Sequence, residues 1–265
     1  MNPNFAGLVA IGFGIAAFAT AYAFLRPRPI ATRIAAFLLL TLLSIPALLV
    51  SIYYLHVLPE WEWFYTLRSR TGSEFLVVLP GAAAGCFATM LPRFFLVLPL
   101  SGFLAIAIVP YLKPFVAPLH DSELRDQWAG DACQQSTLST CGPATVCTIL
   151  KALGEPASER DVAHAAFTYA GGTEAWYLAR YLRGRGFAPH FEFRDTFAPD
   201  AGLPAMVGVR MGGMGHFIAV LAVSGDGVTF ADPMGRGVEH LPMSDFLRTY
   251  HFTGFHMTVP PRTSS

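Results

Sequence analysis

Phe5 to Leu25 contains no charged residue. At 1.5 Å per residue these positions make about 31 Å of helix, enough to cross a hydrocarbon core of about 30 Å. Ile34 to Leu55 is a second uncharged run of similar length, and both are expected to be transmembrane helices. Phe75–Leu91 and Phe94–Leu112 are shorter, interrupted by Pro80 and by Pro99 and Pro110, and parted only by Pro92 and Arg93. They read as two spans or as one re-entrant hairpin; two spans are taken here. Residues 1–115 are thus expected to form an all-α transmembrane region of about four helices (5–25, 34–55, 75–91 and 94–112). Buried helices of a soluble core would need polar faces elsewhere that these runs lack.

The rest of the composition agrees with a chain in two parts. Of 265 residues, 53% are apolar and 14% are charged, against about a quarter charged in soluble domains. That excludes a disordered chain and argues against an ordinary soluble globule. The formal net charge is zero and no long Lys/Arg run occurs, so the electrostatic footprint of a nucleic-acid binder is missing. Four cysteines (Cys86, Cys133, Cys141, Cys147) are too few for a disulfide scaffold. Residues 1–115 hold seven of the 18 basic residues and three of the 18 acids, leaving 11 and 15 for the remainder.

The positive charges Arg26, Arg28 and Arg33 follow the first apolar run instead of preceding it, so that run reads as a retained anchor and not as a signal peptide. The positive-inside rule then sets Arg26, Arg28, Arg33 and Arg93 in the cytoplasm against Arg68, Arg70 and Lys113 outside, four to three. An even number of crossings would leave the C-terminal half extracytoplasmic on a multi-pass protein. Glu60–Tyr65, rich in aromatic and acidic residues, reads as an interfacial aromatic belt in preference to a substrate-docking strip.

From about residue 121 to 265 the pattern changes to helices followed by strands. Cys141–Leu153 has helical spacing in Val146, Ile149, Leu150 and Leu153, with Pro143 in the first turn where a missing N–H costs nothing. Ser158 begins a short helix to about Ala166, and Thr173 another that ends near Gly186. His190–Phe193, Ala205–Arg210, His216–Val223, Val228–Ala231 and Gly254–Val259 read as strands. Helices first and an antiparallel-looking sheet afterwards mean α+β. Asp226-Gly227 is a two-residue hairpin signal, making the strands that end at Val223 and Ala231 antiparallel neighbours. Strict counting through that turn sets Asp232 opposite Leu221, not His216, so spacing alone does not bring His216 and Asp232 into contact.

A cysteine at a helix N-terminus sits where backbone N–H groups and the helix dipole favour the nucleophilic thiolate, and Cys141 has that position. His216 can take its proton, and Asp232 can fix the imidazole tautomer. Gln135, six residues before Cys141, can add its amide to the Cys141 N–H in an oxyanion hole. Gly212, Gly213 and Gly215 leave room for a substrate backbone.

These residues carry a resemblance. Gln135-Ser-Thr-Leu-Ser-Thr-Cys141-Gly-Pro-Ala144, Gly215-His216-Phe-Ile-Ala-Val220, Asp232-Pro-Met-Gly235 and the later Leu241–Phe246 segment resemble the papain-like bacteriocin-processing peptidases, which remove double-glycine leader peptides. The resemblance covers about residues 126–260. It implies a papain-like α+β domain with Cys141 as nucleophile, His216 as base, Asp232 as orienting residue and Gln135 as oxyanion donor; the likeness, not strand counting, brings His216 and Asp232 together. Two departures stand out. Thr140 occupies a position that is usually Asp in the family, and the ATPase carried by many transporters with such a domain is missing from this chain. Gln134 could replace Gln135 if the loop shifted, but the six-residue spacing favours Gln135.

A membrane-anchored cysteine peptidase acting on a peptide or protein follows, with the bilayer and a membrane partner or transporter as further partners. No metal or organic cofactor is implied. The alternatives are a papain-like acyltransferase or peptide ligase with the same thiol chemistry, and a non-catalytic peptide-binding accessory domain. Cys133 and Cys147 read as structural, able to pair with each other outside the cytoplasm.

Overall fold

The computed structural model describes residues 4–53, 59–197 and 202–262, in two compact units. One comprises Pro3–Glu60 and Arg70–Val116; the other takes in Trp61–Ser69 and the chain from Ala117 onward.

In the first unit α1 runs over Phe5–Leu25, capped by Asn4, whose side chain accepts from the Gly7 N–H at 2.9 Å. Among the described residues α1 is the one unbroken helix long and apolar enough to cross a membrane. The second expected span, 34–55, is divided into α2 (Ile30–Leu43) and α3 (Ile45–Tyr53), and its last two positions lie outside the described residues. Pro46 is the physical reason for the break: it lacks an N–H and disfavours helical geometry at Ile45. Ser44 adds to it by donating its hydroxyl back to the Leu40 carbonyl at 2.6 Å. The third run is a 3₁₀ turn, Ser73–Val77, continuing into α5 (Val78–Ala88). The fourth is a 3₁₀ turn, Arg93–Phe95, followed by α6 (Val97–Val116), which bends by 64° next to Pro110.

Small residues set the packing here. Gly81 and Gly85, one helical turn apart on α5, lie against the backbone of Gly14 and Phe18 on α1, so closely that a Cβ at either would overlap the facing carbonyl. This is the small-xxx-small contact by which apolar helices approach. The outward faces carry Phe5, Phe13, Leu38, Leu42, Phe94 and Val97 in the open.

The second unit is α+β. Its helices α7 (Cys141–Ala152), α8 (Glu159–Ala165) and α9 (Ala175–Gly184) precede most of the strands. A two-stranded ribbon, β1 (Trp128–Ala129) and β2 (Ala132–Cys133), leads into α7. The main sheet has the order β3-β8-β4-β5-β6-β7, all neighbours antiparallel, with β3 at His190–Phe193, β4 at Ala205–Met211, β5 at Met214–Ser224, β6 at Gly227–Ala231, β7 at Val238–Pro242 and β8 at His251–Thr258. α10 (Met243–Thr249) links the last two. Val207, Val209, Ile218, Val220, Phe230 and Phe246 form one buried cluster of this sheet and α10.

The β4–β5 hairpin turns at Gly212 and Gly213, both at positive φ (53° and 90°), so these glycines serve the tight turn. The aromatic loop also differs from its sequence reading. α4 (Glu62–Arg68) folds with the second unit, and Tyr65 is buried among Trp176, Phe191, Phe193 and Phe255 with ring centroids 5.0–6.1 Å away. Phe64 meets Trp176 edge-on at 5.9 Å, and the Arg68 guanidinium lies 5.7 Å from the same indole centroid. Arg180 and Arg183 of α9 donate to the Arg68 carbonyl and the Ser69 hydroxyl, each at 3.0 Å. Trp63 alone of these rings stays half in solvent, at 49% exposure.

Candidate active site

Cys141 is the first residue of α7, behind the N-cap Thr140, and is half-buried. Thr140 is itself buried, and its hydroxyl accepts from the Thr137 N–H and donates to the Thr137 carbonyl, both at 3.1 Å, which shapes the loop entering the helix. The same loop is fixed from outside by Glu159, wholly buried, which accepts from the Ser136 N–H at 2.7 Å and from the Ser136 hydroxyl. Ser139 donates to the Ala170 carbonyl at 2.5 Å. Behind the nucleophile position, Thr145 Oγ1 donates to the Phe217 carbonyl at 3.0 Å and so fastens α7 to β5 beside His216.

β5 delivers His216, and the chain just past β6 delivers Asp232. Their contact comes from two local irregularities. The β5–β6 turn centres on Gly225 and Asp226, with Ser224 paired to Gly227, and a bulge at Leu221 moves the register once more, so that Ala219 faces Ala231. Extended by one residue, this ladder sets Asp232 level with Ile218, on the same side of the strand as His216. His216 Nε2 meets Asp232 Oδ1 at 2.8 Å, and both side chains are buried. Oδ1 also accepts the Met234 N–H at 2.8 Å, and Oδ2 accepts the Tyr250 hydroxyl at 3.1 Å. The Asp232 carbonyl accepts from Gly235 at 2.8 Å, closing a tight turn.

With Nε2 committed to Asp232, Nδ1 is the ring nitrogen left for Cys141, whose side chain interacts electrostatically with the same imidazole. Burial opposes the imidazolium, but the hydrogen bond to Asp232 and the interaction with Cys141 outweigh it and carry His216 up to about 9. Burial likewise opposes the Asp232 carboxylate, and here the hydrogen bonds from His216 and Met234 win, holding it below its ordinary value. The four sequence candidates are therefore arranged in this way: His216 and Asp232 are hydrogen-bonded, and Cys141 interacts electrostatically with the same imidazole. Gln135 is joined to this group through its backbone, its N–H donating to the Pro233 carbonyl at 3.0 Å. Gln134 is held elsewhere, its N–H donating to the Gln127 carbonyl at 2.8 Å. The Oε1 atom of Gln135 is buried with no hydrogen-bond partner among the described residues.

Sequence reading passed over Tyr250 and the Met234 N–H. The signal for the second was present, since Asp-Pro-x-Gly is a turn in which an Asp side chain accepts from the backbone two residues on; Tyr250 carries no such mark. Cys133 and Cys147 are both buried free thiols, and burial together with the neighbouring Cys133 pushes the Cys147 thiol well up.

The model of the Peptidase C39 family matches residues 131–264. An uncharacterized protein of Methanothermobacter marburgensis is 33% identical over 104 residues, 39% of this chain and 72% of that protein. Two solved structures are similar. One is the peptidase domain of Streptococcus ComA, a bi-functional ABC transporter involved in a quorum sensing pathway, at 21% identity and TM-score 0.42, covering 49% of this chain and 96% of that one. The other is a double glycine motif protease from an AMS/PCAT transporter in complex with the leader peptide, at 20% identity and TM-score 0.41, covering 48% and 89%. The family match takes in half of the chain and holds the helix-start cysteine and the histidine–aspartate pair: the chain belongs to the Peptidase C39 family, and its α+β unit is a cysteine peptidase of papain-like fold.

Proposed function

We propose that this is a membrane-anchored peptidase that cleaves a leader or membrane-associated peptide through Cys141, His216, Asp232 and Gln135. The observation that carries the reading is the buried His216–Asp232 hydrogen bond of 2.8 Å, with a helix-start thiol that interacts electrostatically with the same imidazole. His216 Nδ1 takes the Cys141 proton, and the thiolate attacks the scissile carbonyl carbon. The Cys141 N–H and the Gln135 amide receive the developing oxyanion. As the C–N bond breaks, His216 returns the proton to the leaving amine and a thioester remains. Water, deprotonated by His216, then releases the acid and restores the thiol. Asp232 holds the imidazole in one orientation and stabilises its cation without taking the proton. The backbone bond from Gln135 to Pro233 favours Gln135 over Gln134 as the oxyanion donor.

The anchor is the first unit: α1 as a span, with α2, α3, α5 and α6 completing a multi-pass region, supported by large apolar side chains on the outward faces. With the charge excess of Arg26, Arg28, Arg33 and Arg93 inward, the peptidase unit faces outward. A transporter of the kind that carries similar peptidase domains is the candidate membrane partner.

The test is cleavage of double-glycine-type leader peptides by the full chain in detergent. Wild type is expected to cut and Cys141→Ala to be inert with unchanged melting; turnover surviving in Cys141→Ala would overturn the reading. Products are weighed by mass spectrometry with and without an added amine. Acid products mark hydrolysis, and amide products that need the amine mark acyl transfer.

A further inference from the structure

The two oxygens of Asp232 are not equivalent. Oδ1 serves both His216 Nε2 and the Met234 N–H, while Oδ2 receives the Tyr250 hydroxyl. The terminal torsion of an aspartate is soft, and two partners on one oxygen leave the carboxylate able to pivot about that oxygen. The third partner, on the other oxygen, removes this freedom. Tyr250 is suited to the task because it is itself held on two sides. Its N–H donates to the Phe246 carbonyl at 2.9 Å at the end of α10, and its ring lies 5.2 Å from Phe230 and 5.4 Å from Phe246 between centroids. Phenylalanine would fill the same apolar slot, so packing alone does not account for the hydroxyl.

We propose that Tyr250 is a positioning residue, whose hydroxyl holds the Asp232 carboxylate in the one orientation that presents Oδ1 to His216. The proposal rests on the reading of Cys141 and His216 as the reacting pair. Burial and the adjacent Asp232 charge push the Tyr250 phenol far above its ordinary value, so it remains a donor wherever a thiolate–imidazolium pair exists. The groups facing this cluster are Cys141 from α7, His216 from β5, Asp232 after β6 and Glu239 from β7, which adds negative charge toward Tyr250. Removing the hydroxyl leaves Oδ2 buried without that donor, which disfavours the oriented carboxylate and weakens its hold on the imidazolium.

The pH profile of Cys141 alkylation by iodoacetate, on the full chain in detergent, tests this. The reagent is an anion, so it reacts fastest with a thiolate beside a charged imidazole, and the wild-type profile is expected to be a bell whose alkaline limb belongs to His216. His216→Ala should lose the bell. Tyr250→Phe should keep it with the alkaline limb moved down by about one pH unit, a tenfold change in the imidazolium equilibrium. A wild-type profile without a bell, or a bell that survives His216→Ala, overturns the Cys141–His216 reading itself. A wild-type bell left in place by Tyr250→Phe overturns the role of Tyr250 alone. If Tyr250→Phe does not fold, the comparison is Asp232→Asn against Asp232→Asn/Tyr250→Phe: action through Asp232 requires identical profiles, and a further change in the double variant overturns the proposal.

Discussion

His216 is raised to about 9 from an unfolded value of 6.5, because the hydrogen bond to Asp232 and the interaction with Cys141 favour its cation more strongly than burial opposes it. A group raised in this way adds stability that is complete below the unfolded value and disappears as pH climbs through the folded one. The peptidase unit should therefore carry the full His216 contribution to its melting below about 6.5 and should lose it between 6.5 and about 9. Differential scanning calorimetry of wild type against His216→Ala reads it, as a pH-dependent difference in that window. Asp232, lowered below 3.8, runs in the opposite sense: its contribution is present above 3.8 and is lost as pH falls through the lower folded value. At this scale the sequence was informative where chemistry is local. A cysteine opening a helix and a histidine after a glycine turn can be read from spacing, but Tyr250 reaches Asp232 across 18 positions on the strength of a fold that no spacing displays.

The pairing of β5 with β6 shows how a site can depend on one misplaced residue. Asp-Gly is a good turn signal, yet Gly225 at φ 59° takes the left-handed corner, and the bulge at Leu221 adds another step. Together they turn a register that separated Asp232 from His216 into one that joins them. Helices α7, α8 and α9 were legible from periodicity and capping; α10, β7 and the β1–β2 ribbon were not, since short elements carry little pattern. α4 was misread for a related reason: a tyrosine beside tryptophans looks the same in sequence whether it meets lipid headgroups or Trp176. Its burial gives a prediction. Tyr65→Ala should destabilise the peptidase unit by about 3–5 kcal/mol, as other large aromatic truncations do, measured by denaturant unfolding of the full chain with Trp176 fluorescence as the probe. In the other unit, Gly81→Leu has no space against the Gly14 backbone. It should separate α1 from α5 and lower the melting temperature of the apolar unit, with Gly102→Leu, where a Cβ meets nothing, as the harmless control.

On the scale of the whole molecule, the decisive fact is that Trp61–Ser69 and the chain from Ala117 share one folded unit. Two parts of one core lie on the same side of a bilayer, so the segment between them, residues 70–116, crosses an even number of times or not at all. Single-cysteine reporters at Glu60 and at His120, in a background without the native cysteines, should be labelled alike by a membrane-impermeant maleimide in intact cells. Labelling of one and not the other would break this pairing. Labelling of both is expected if the peptidase faces outward, and of neither before permeabilisation if it faces the cytoplasm. The order of synthesis adds a further consequence. Tyr65 leaves the ribosome 190 residues ahead of Phe255, the last wall of its pocket, an interval of roughly 10–40 s at about 5–20 residues per second. The catalytic unit therefore cannot close until the apolar helices of residues 5–116 have been made, and a nascent chain cannot complete its protease before them.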